Sequence, residues 1–288
     1  KGIIKTGRTH LMDAMPIDFS EELRAWSGQL KSSKEMLNIL EKKFLELPQG
    51  GTAVGSGINA HKQFSKYFAQ EITKLTGNKC KYIPSKNFYH ELSAQDCSVQ
   101  LSGELKNLAV ILTKISNDLR LMNSGPLAGL SEIELKALQP GSSIMPGKVN
   151  PVIPEAVAMA SADVIGNDVS ITVAAQSGNF QLNVMLPVIA YNLLKSINLL
   201  SGSMEVLSKK AIKTFKVNKK NLDVSLSRNP ILVTALNPII GYEKAAEIAK
   251  KAYKENRSIV EVASEETNIP KGKLKKLLDP SKLAKGGI

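Results

Sequence analysis

Cysteine is nearly absent from this sequence of 288 residues. Only Cys80 and Cys97 occur, which is too few for a disulfide framework, and they lack the spacing of metal ligands. Disulfide-stabilised secreted domains are therefore excluded. We expect two buried, inert thiols in a reducing compartment.

Long hydrophobic segments are also missing. The sequence has no uninterrupted apolar run of about 18 residues, so we expect no transmembrane helix, and no secretory signal is visible. The chain begins with Lys1 rather than methionine. We therefore expect a processed, cleaved, split or incomplete product, located in the cytoplasm, or in the mitochondrial matrix if the source is a eukaryote.

Aromatic residues make up only 5% of the chain. The chain contains 38 lysines and arginines but only 26 aspartates and glutamates, which gives a formal net charge of +12. Nucleic-acid binding would be one use of this charge. However, the lysine clusters of the last third have no aromatic residues between them to stack on bases. We predict a solvated lysine-rich surface and no nucleic-acid partner, and the positive field would also attract a dianionic substrate.

What the sequence does contain is helical periodicity. Apolar residues recur every three or four positions, and almost no segment shows the alternation of a strand. This pattern predicts an all-α protein, a bundle of long helices followed by shorter ones. The predicted helices cover approximately residues 19–47, 59–75, 91–122, 152–176, 182–211, 242–256, 259–266 and 270–278.

Segment 152–176 differs from the others because it is rich in alanine and nearly free of charge. A helix that is apolar on most faces must be buried on most faces, which in a chain of this size indicates the centre of a bundle shared between subunits. We place a domain boundary near Lys219. Residues 1–219 would then form a central helical-bundle domain and residues 220–288 a small C-terminal helical domain.

Residues 141–151 read Gly-Ser-Ser-Ile-Met-Pro-Gly-Lys-Val-Asn-Pro. The prolines remove backbone donors and the glycines allow unusual backbone shapes, so this stretch predicts a structured loop that leads into a helix. Free amides near Ser142 and Ser143, with Lys148 and Asn150 close by, would suit a carboxylate or an oxyanion. An ordinary connector with an exposed lysine is the alternative.

Histidine is scarce too, with only His10, His61 and His90. A single histidine is more often structural or exposed than catalytic. His10 follows Gly-Arg-Thr and comes before a predicted helix start at Pro16, so we expect it in an ordered loop. His61 and His90 match no pattern, and we expect both to be structural or at the surface.

Glycines at positions 50, 51, 55 and 57 do not form a dinucleotide-binding fingerprint, because no strand precedes them. We expect them to allow close approach of the backbone where a helix begins.

Several short strings, in order along the chain, resemble motifs of the fumarase/aspartase superfamily. They are residues 5–10, 50–59, 124–126 and the loop 141–151, and two further strings, 178–184 and 232–242, resemble class II fumarase in particular. The resemblance covers nearly the whole chain. It implies an all-α fold, a tetramer with a shared helical core, and reversible anti-elimination that yields fumarate or a similar product, without a metal or organic cofactor.

The resemblance also implies roles for individual residues. Ser142 would be the general base, and its alkoxide would need backbone amides and the Lys148 cation for stabilisation. His10 would pair with Glu155 to activate or release a water, although Glu155 alone would be an ordinary acidic residue in the first turn of a helix. Four residues would hold the dicarboxylate substrate and its aci-carboxylate intermediate: Thr9, Ser143, Lys148 and Asn150.

Among the activities of the superfamily, the motifs favour class II fumarase, which hydrates fumarate to L-malate. His10, Gly147 and residues 178–180 resemble fumarases, whereas aspartases usually carry glutamine and alanine at the first two positions. Three features depart from the fumarase pattern: Ile239 in place of a histidine, the aspartase-like pair Val152 and Pro154, and Gln95-Asp96 in place of His-Asp. Aspartate ammonia-lyase is therefore the main alternative. Argininosuccinate and adenylosuccinate lyases fit less well, because their loops usually differ around the lysine.

The main departure from the family lies at the front of the chain. Family members carry a long segment before the Gly-Arg-Thr-His motif, including a first motif that binds substrate, and their active sites combine residues from three subunits. We therefore expect activity to require an N-terminal segment or a partner chain. A scaffold of the same fold without catalysis, as among lens proteins of this superfamily, is the alternative from another class, and the intact set of candidate residues argues against it.

Overall fold

Helices dominate the structure, a computed structural model that describes residues 1–139, 141 and 144–286. The all-α prediction is confirmed as the fold class. The α-helices in chain order are α1 (Phe19–Glu41), α2 (Phe64–Leu75), α3 (Phe88–Ser93), α4 (Asp96–Met122), α5 (Val152–Gln176), α6 (Leu186–Val206), α7 (Lys219–Ser227), α8 (Asn237–Ile240), α9 (Tyr242–Glu255), α10 (Ile259–Glu266), α11 (Lys271–Leu277) and α12 (Pro280–Leu283).

Helices α5 and α10 have the predicted bounds, and the other predicted helices are present with shifted ends. A 3₁₀ turn (Lys42–Leu45) follows α1, and a π-helical turn (Leu207–Ile212) continues α6. The helix predicted over residues 91–122 is divided into α3 and α4. Helix α7 and the helical segment Pro230–Ile240, a 3₁₀ turn followed by α8, were not predicted.

Three two-stranded sheets also occur in the described part of the chain, where the sequence pattern indicated almost no strand. Strands β1 (Ile4–Thr9) and β2 (Met12–Asp18) form an antiparallel hairpin, β3 (Glu46–Leu47) pairs in parallel with β4 (Ile83–Pro84), and β5 (Ile133–Glu134) pairs antiparallel with β6 (Lys216–Val217). The helix start expected at Pro16 is wrong, because Pro16 lies in β2 opposite Thr6. A two-stranded ribbon has only edge strands, and these tolerate proline.

The contacts divide the chain into two compact units. The hairpin unit comprises Lys1–Ser27, Leu121–Leu135 and the chain from Phe215 onward, and the long-helix unit comprises Gly28–Arg120 and Lys136–Thr214. The domain boundary near Lys219 stays a prediction.

The core of the hairpin unit is formed by short helices in its C-terminal part. Asn256 ends α9 in the left-handed conformation, and the Ser258 hydroxyl accepts a hydrogen bond from the Glu261 amide at the start of α10. These two caps produce a tight helix–helix connection. The fully buried members of this core are Leu236, Ile248, Val262, Ala263 and Leu274.

The long-helix unit is built around the packed pair α5 and α6. Inside it, the Asp168 carboxylate on α5 accepts hydrogen bonds from Ser102 Oγ (2.7 Å) and Lys106 Nζ (2.6 Å) on α4. Helix α5 is the one helix within the described residues long and apolar enough to cross a membrane, a test that the core helix of a soluble protein also passes.

Both cysteines are free and only partly buried, so the expectation of two buried thiols is wrong. Burial nevertheless raises the pKa of the Cys97 thiol, and the nearby Glu91 carboxylate raises it further.

Candidate active site

The hairpin β1–β2 carries Thr9 and His10. Thr9 pairs with Met12, so His10 and Leu11 form a two-residue turn. Both have positive φ, 54° and 61°, as the turns that suit a two-residue hairpin require. Non-glycine residues are uncommon at positive φ, and a bulky residue such as Leu11 adopts it less readily than asparagine, aspartate or histidine. Strain of this kind clusters at functional sites. The expected ordered loop around His10 is thus a strained hairpin turn.

A bulge lies below this turn. The pairing shifts between Thr6, opposite Pro16, and Arg8, opposite Asp13, so β2 has an extra residue opposite Gly7. A Cβ atom on Gly7 would lie 2.6 Å from the Met15 carbonyl oxygen, which explains the glycine. Bulges change the direction in which nearby side chains point, and this one sits two residues from Thr9.

Polar groups buried in the hairpin unit anchor the hairpin. Lys5, with 1% of its side chain exposed, places its Nζ 2.6 Å from Glu132 Oε2 and 3.1 Å from Glu22 Oε2. Arg8 Nη1 lies 2.7 Å from Glu132 Oε1. On β2, the Asn229 side-chain amide donates a hydrogen bond to the Ala14 carbonyl at 2.8 Å.

The loop 141–151 lies in the long-helix unit and closes on itself. A Cβ atom on Gly141 would collide with the Lys148 carbonyl oxygen, so the two ends of the loop lie in direct backbone contact. Within it, the Lys148 amide donates a hydrogen bond to the Met145 carbonyl (3.2 Å), and Gly147 has a φ of 83°. Ser142 and Ser143 lie outside the described residues.

Three candidate residues lie near the start of α5: Lys148 and Asn150 at the end of the loop, and Glu155 in the first turn of the helix. The Lys148 side chain is exposed, whereas Asn150 and Glu155 are partly buried. The Val152 amide donates to the Asn150 carbonyl (2.9 Å), and the Glu155 amide donates to the Pro151 carbonyl (3.2 Å). An anion at this position would meet the positive end of the helix dipole as well as the Lys148 cation.

The predicted site residues are therefore distributed between the two units. Thr9 and His10 belong to the hairpin unit, and Lys148, Asn150 and Glu155 to the long-helix unit. The pairing of His10 with Glu155 stays a prediction.

The glycine-rich string 50–57 allows close backbone packing, as expected. A Cβ atom on Gly50 would lie 2.8 Å from Ser65 Cβ at the start of α2, and one on Gly51 would lie 2.8 Å from Phe88 Cβ at the start of α3. These contacts show why the positions need glycine.

The remaining histidines lie at the surface, as expected. The exposed His61 ring accepts a hydrogen bond from the Gln63 amide. His90 contacts Asp96 at 2.9 Å and Glu91 at 3.2 Å, and the hydrogen bond to Asp96 is the main reason that its pKa is raised.

Three charged residues that support the hairpin were not predicted from the sequence: Lys5, Arg8 and Glu132. Lys5 and Arg8 look like surface cations in a charged string, and Glu132 lies in an irregular stretch of the chain. The one available signal was the proximity of Lys5 and Arg8 to the motif residues Thr9 and His10, and it does not indicate their acidic partner.

Two family models match the chain. Residues 1–166 match the family model described as "Lyase", and residues 232–285 match that described as "Fumarase C C-terminus". The chain is 59% identical over 285 residues to fumarate hydratase class II 2 of Pseudomonas aeruginosa, covering 99% of this chain and 62% of that protein. It is 57% identical over 286 residues to fumarate hydratase class II of Xylella fastidiosa, covering 99% and 60%.

Solved structures give the same result. The class II fumarase of Schistosoma mansoni superposes with a TM-score of 0.94 at 34% sequence identity, over 98% of this chain and 62% of that one. The chain therefore spans about three fifths of the length of the relatives that it matches. With a family model over more than half of its residues, the chain belongs to the lyase family of the fumarase/aspartase superfamily, and the relatives that it matches at 57–59% identity are class II fumarate hydratases.

Proposed function

We propose that the protein containing this chain catalyses the reversible hydration of fumarate to L-malate by anti addition and elimination through an aci-carboxylate intermediate. The observation that carries the proposal is the 59% identity to a class II fumarate hydratase over 285 residues. Relatives at 45–59% identity are named fumarate hydratases, and this disfavours aspartate ammonia-lyase.

In this proposal the loop and the start of α5 form the anion-binding side of the site. Lys148 and Asn150 hold the carboxylate next to the carbon that loses its proton, and Ser143 adds a hydroxyl. Ser142 takes that proton as general base. The partial positive charge at the N-terminus of α5 and the Lys148 cation both favour the dianionic intermediate.

In the same proposal the hairpin supplies two further residues of the assembled enzyme. Thr9 holds the other carboxylate or the leaving water, and His10, paired with Glu155 in the assembled enzyme, activates or releases that water. The strained turn supports this role, because non-glycine residues persist at positive φ where the surrounding structure enforces the conformation.

Assembly is part of the same proposal. Large apolar side chains on α5 and α6 are exposed in the single chain: Met159, Val169, Val173, Tyr191 and Leu194. An apolar surface of this kind is typical of a contact with another chain. We infer a cytoplasmic tetramer with a shared helical core, completed by an N-terminal segment or subunit that supplies the remaining substrate-binding residues.

The test is turnover by the full-length gene product. The absorbance of fumarate reports hydration of fumarate, dehydration of L-malate, and deamination of L-aspartate in parallel reactions, with the assembled mass measured by light scattering. Ser142→Ala should lower kcat by roughly a hundredfold or more. Ser32→Ala, which alters an exposed serine on α1, is the matched control and should keep full activity.

Each result decides between the alternatives. Turnover of malate that Ser142→Ala abolishes supports fumarase, and turnover of aspartate instead would make the enzyme an ammonia-lyase. A folded tetramer that turns over none of the three compounds would indicate a scaffold without catalysis. Binding of the purified protein to a 30-base-pair duplex DNA at low salt would contradict the prediction that the protein has no nucleic-acid partner.

A further inference from the structure

Glu132 occupies the centre of the polar cluster beneath the hairpin. Its side chain is 3% exposed, and each of its carboxylate oxygens meets one cation of β1. Oε2 accepts a hydrogen bond from Lys5 Nζ at 2.6 Å. Oε1 lies 2.7 Å from Arg8 Nη1 in an ion pair that lacks hydrogen-bond geometry. With Glu22 on the other side of Lys5, two cations face two carboxylates, so the cluster is electrically neutral.

The backbone of Glu132 is itself held firmly. Its amide donates a hydrogen bond to the Met122 carbonyl at the end of α4 (2.7 Å), and its carbonyl accepts one from the Asn218 amide (2.8 Å). Glu132 is therefore a fixed point in the hairpin unit, whereas a two-stranded ribbon by itself is only marginally stable.

Arg8 links this fixed point to the turn. It lies one residue before Thr9 and two before His10, on the turn side of the bulge at Gly7, and pairs with Asp13 across the ladder. The Asn229 contacts reach the hairpin at Thr6 and Ala14, farther from the turn. Of these anchors, the ion pair between Arg8 and Glu132 is the one nearest to the strained residues.

We propose that Glu132 is a positioning residue: through Arg8 it fixes the hairpin turn that presents Thr9 and His10. The inference rests on the proposed function only for what Thr9 and His10 do to a substrate. That Glu132 controls the conformation of the turn is a statement about the hairpin unit itself and is tested without turnover.

The chain provides a matched comparison. Glu132→Gln and Glu22→Gln each remove one carboxylate from Lys5, but only Glu132→Gln also removes the partner of Arg8. Arg8→Gln is the reciprocal change: it leaves both contacts of Lys5 intact and keeps the proposal testable if Glu132→Gln folds poorly.

The first readout is structural. Glu132→Gln and Arg8→Gln should accelerate amide exchange in residues 8–13 by about tenfold or more, and Glu22→Gln by less than about twofold. The NMR chemical shifts of the three histidine rings give an internal standard. The chemical shifts of His10 should change in Glu132→Gln and Arg8→Gln. Those of His61 and His90, both in the long-helix unit, should stay the same.

The second readout is kinetic and uses the full-length protein. Glu132→Gln and Arg8→Gln should lower kcat/KM for malate by about tenfold or more, because small displacements of reacting groups slow catalysis strongly. Both variants should also shift the part of the pH dependence of kcat/KM that reflects the ionisation of His10. Glu22→Gln should keep the wild-type pH profile and kcat/KM.

The two readouts separate the two ideas. Unchanged exchange and an unmoved His10 signal in both Glu132→Gln and Arg8→Gln would overturn the positioning role, whatever the enzyme does. If both readouts of the turn respond but the wild-type protein turns over neither fumarate nor malate, the positioning of the turn is supported and the proposed function fails.

Discussion

Replacing Gly7 by alanine should damage the hairpin more than the size of a methyl group suggests. The new Cβ would lie 2.6 Å from the Met15 carbonyl oxygen and 3.4 Å from Ile17 Cγ2. The near atom belongs to the backbone of the paired strand, so it cannot rotate away as a side chain would. The strands must separate, and the separation occurs at the bulge, two residues from Thr9.

The magnitude follows from two opposing terms. Forcing an extra methyl into a filled space costs about 1–3 kcal/mol, whereas replacing glycine by alanine restricts the unfolded chain and returns about 0.4–1 kcal/mol. The midpoints of the two ranges leave a net loss of about 1.3 kcal/mol in the local stability of the hairpin, and their extremes about 0 to 2.6 kcal/mol. Gly103→Ala is the matched control, because Gly103 lies inside α4 with nothing near its Cβ position, and alanine should stabilise that helix by about 0.5–1 kcal/mol.

Native-state amide exchange measures this directly. Gly7→Ala should speed exchange of the hairpin amides by about 5- to 30-fold, and Gly103→Ala should slow exchange in α4. In the full-length protein Gly7→Ala should also lower kcat/KM, by up to about a hundredfold if the turn moves by about 1 Å. Hairpin exchange equal to that of the wild type would refute the reasoning, since it would mean that the bulge accommodates a side chain.

Two further changes test the C-terminal core and its surface charges. Leu236→Ala empties a fully buried site and should destabilise the hairpin unit by about 2–5 kcal/mol in thermal or urea unfolding, while Leu127→Ala, at a 98% exposed side chain, should stay within about 0.5 kcal/mol of the wild type. Hydrogen bonds from Lys251 Nζ (2.6 Å) and Lys244 Nζ (3.0 Å) lower the pKa of Glu266 from its ordinary value of 4.5 to about 2. The stabilisation by this carboxylate is therefore complete well above pH 4.5 and is lost as the pH falls towards 2. Glu266→Gln should remove this pH-dependent contribution to the stability of α9 and α10. A Glu266 carboxyl group that titrates near pH 4.5 would contradict the proposed effect of the two lysines.

The long helices could be predicted because local pattern and tertiary structure agree there. Helix α5 begins directly after Pro151 and ends two residues before Gly178, with a mostly apolar, alanine-rich sequence between them, and its predicted bounds are those observed. Proline and glycine at the ends and uniform composition inside leave no competing structure.

The hairpin could not be predicted because its turn lacks the usual signal. Tight hairpins are recognised by Asn-Gly or Asp-Gly, and here His10 and Leu11 adopt the same backbone shape at a cost. Its strands also place Lys5, a charged residue, at a fully buried position. Burial of Lys5 depends on Glu132, more than a hundred residues away, so no local window contains the reason.

The helical segment Pro230–Ile240 was missed for the opposite reason. Its two prolines suggest an irregular connector, but Pro230 and Pro238 each stand in the first turn of a helical element. There the missing amide donor costs nothing, because the first amides of a helix have no partner within it. A proline interrupts a helix only when it falls farther inside.

The sequence of α5 predicts more burial than a single chain provides. The composition of α5 predicts burial on most faces, yet Met159, Val169 and Val173 are exposed on it. Burying a side chain of this kind contributes about 1.5–3 kcal/mol, so leaving several of them in water on one helix is costly. The conflict disappears if these residues contact other copies of the chain in the proposed tetramer. The surface that this chain leaves uncovered would then be part of the core of the assembly.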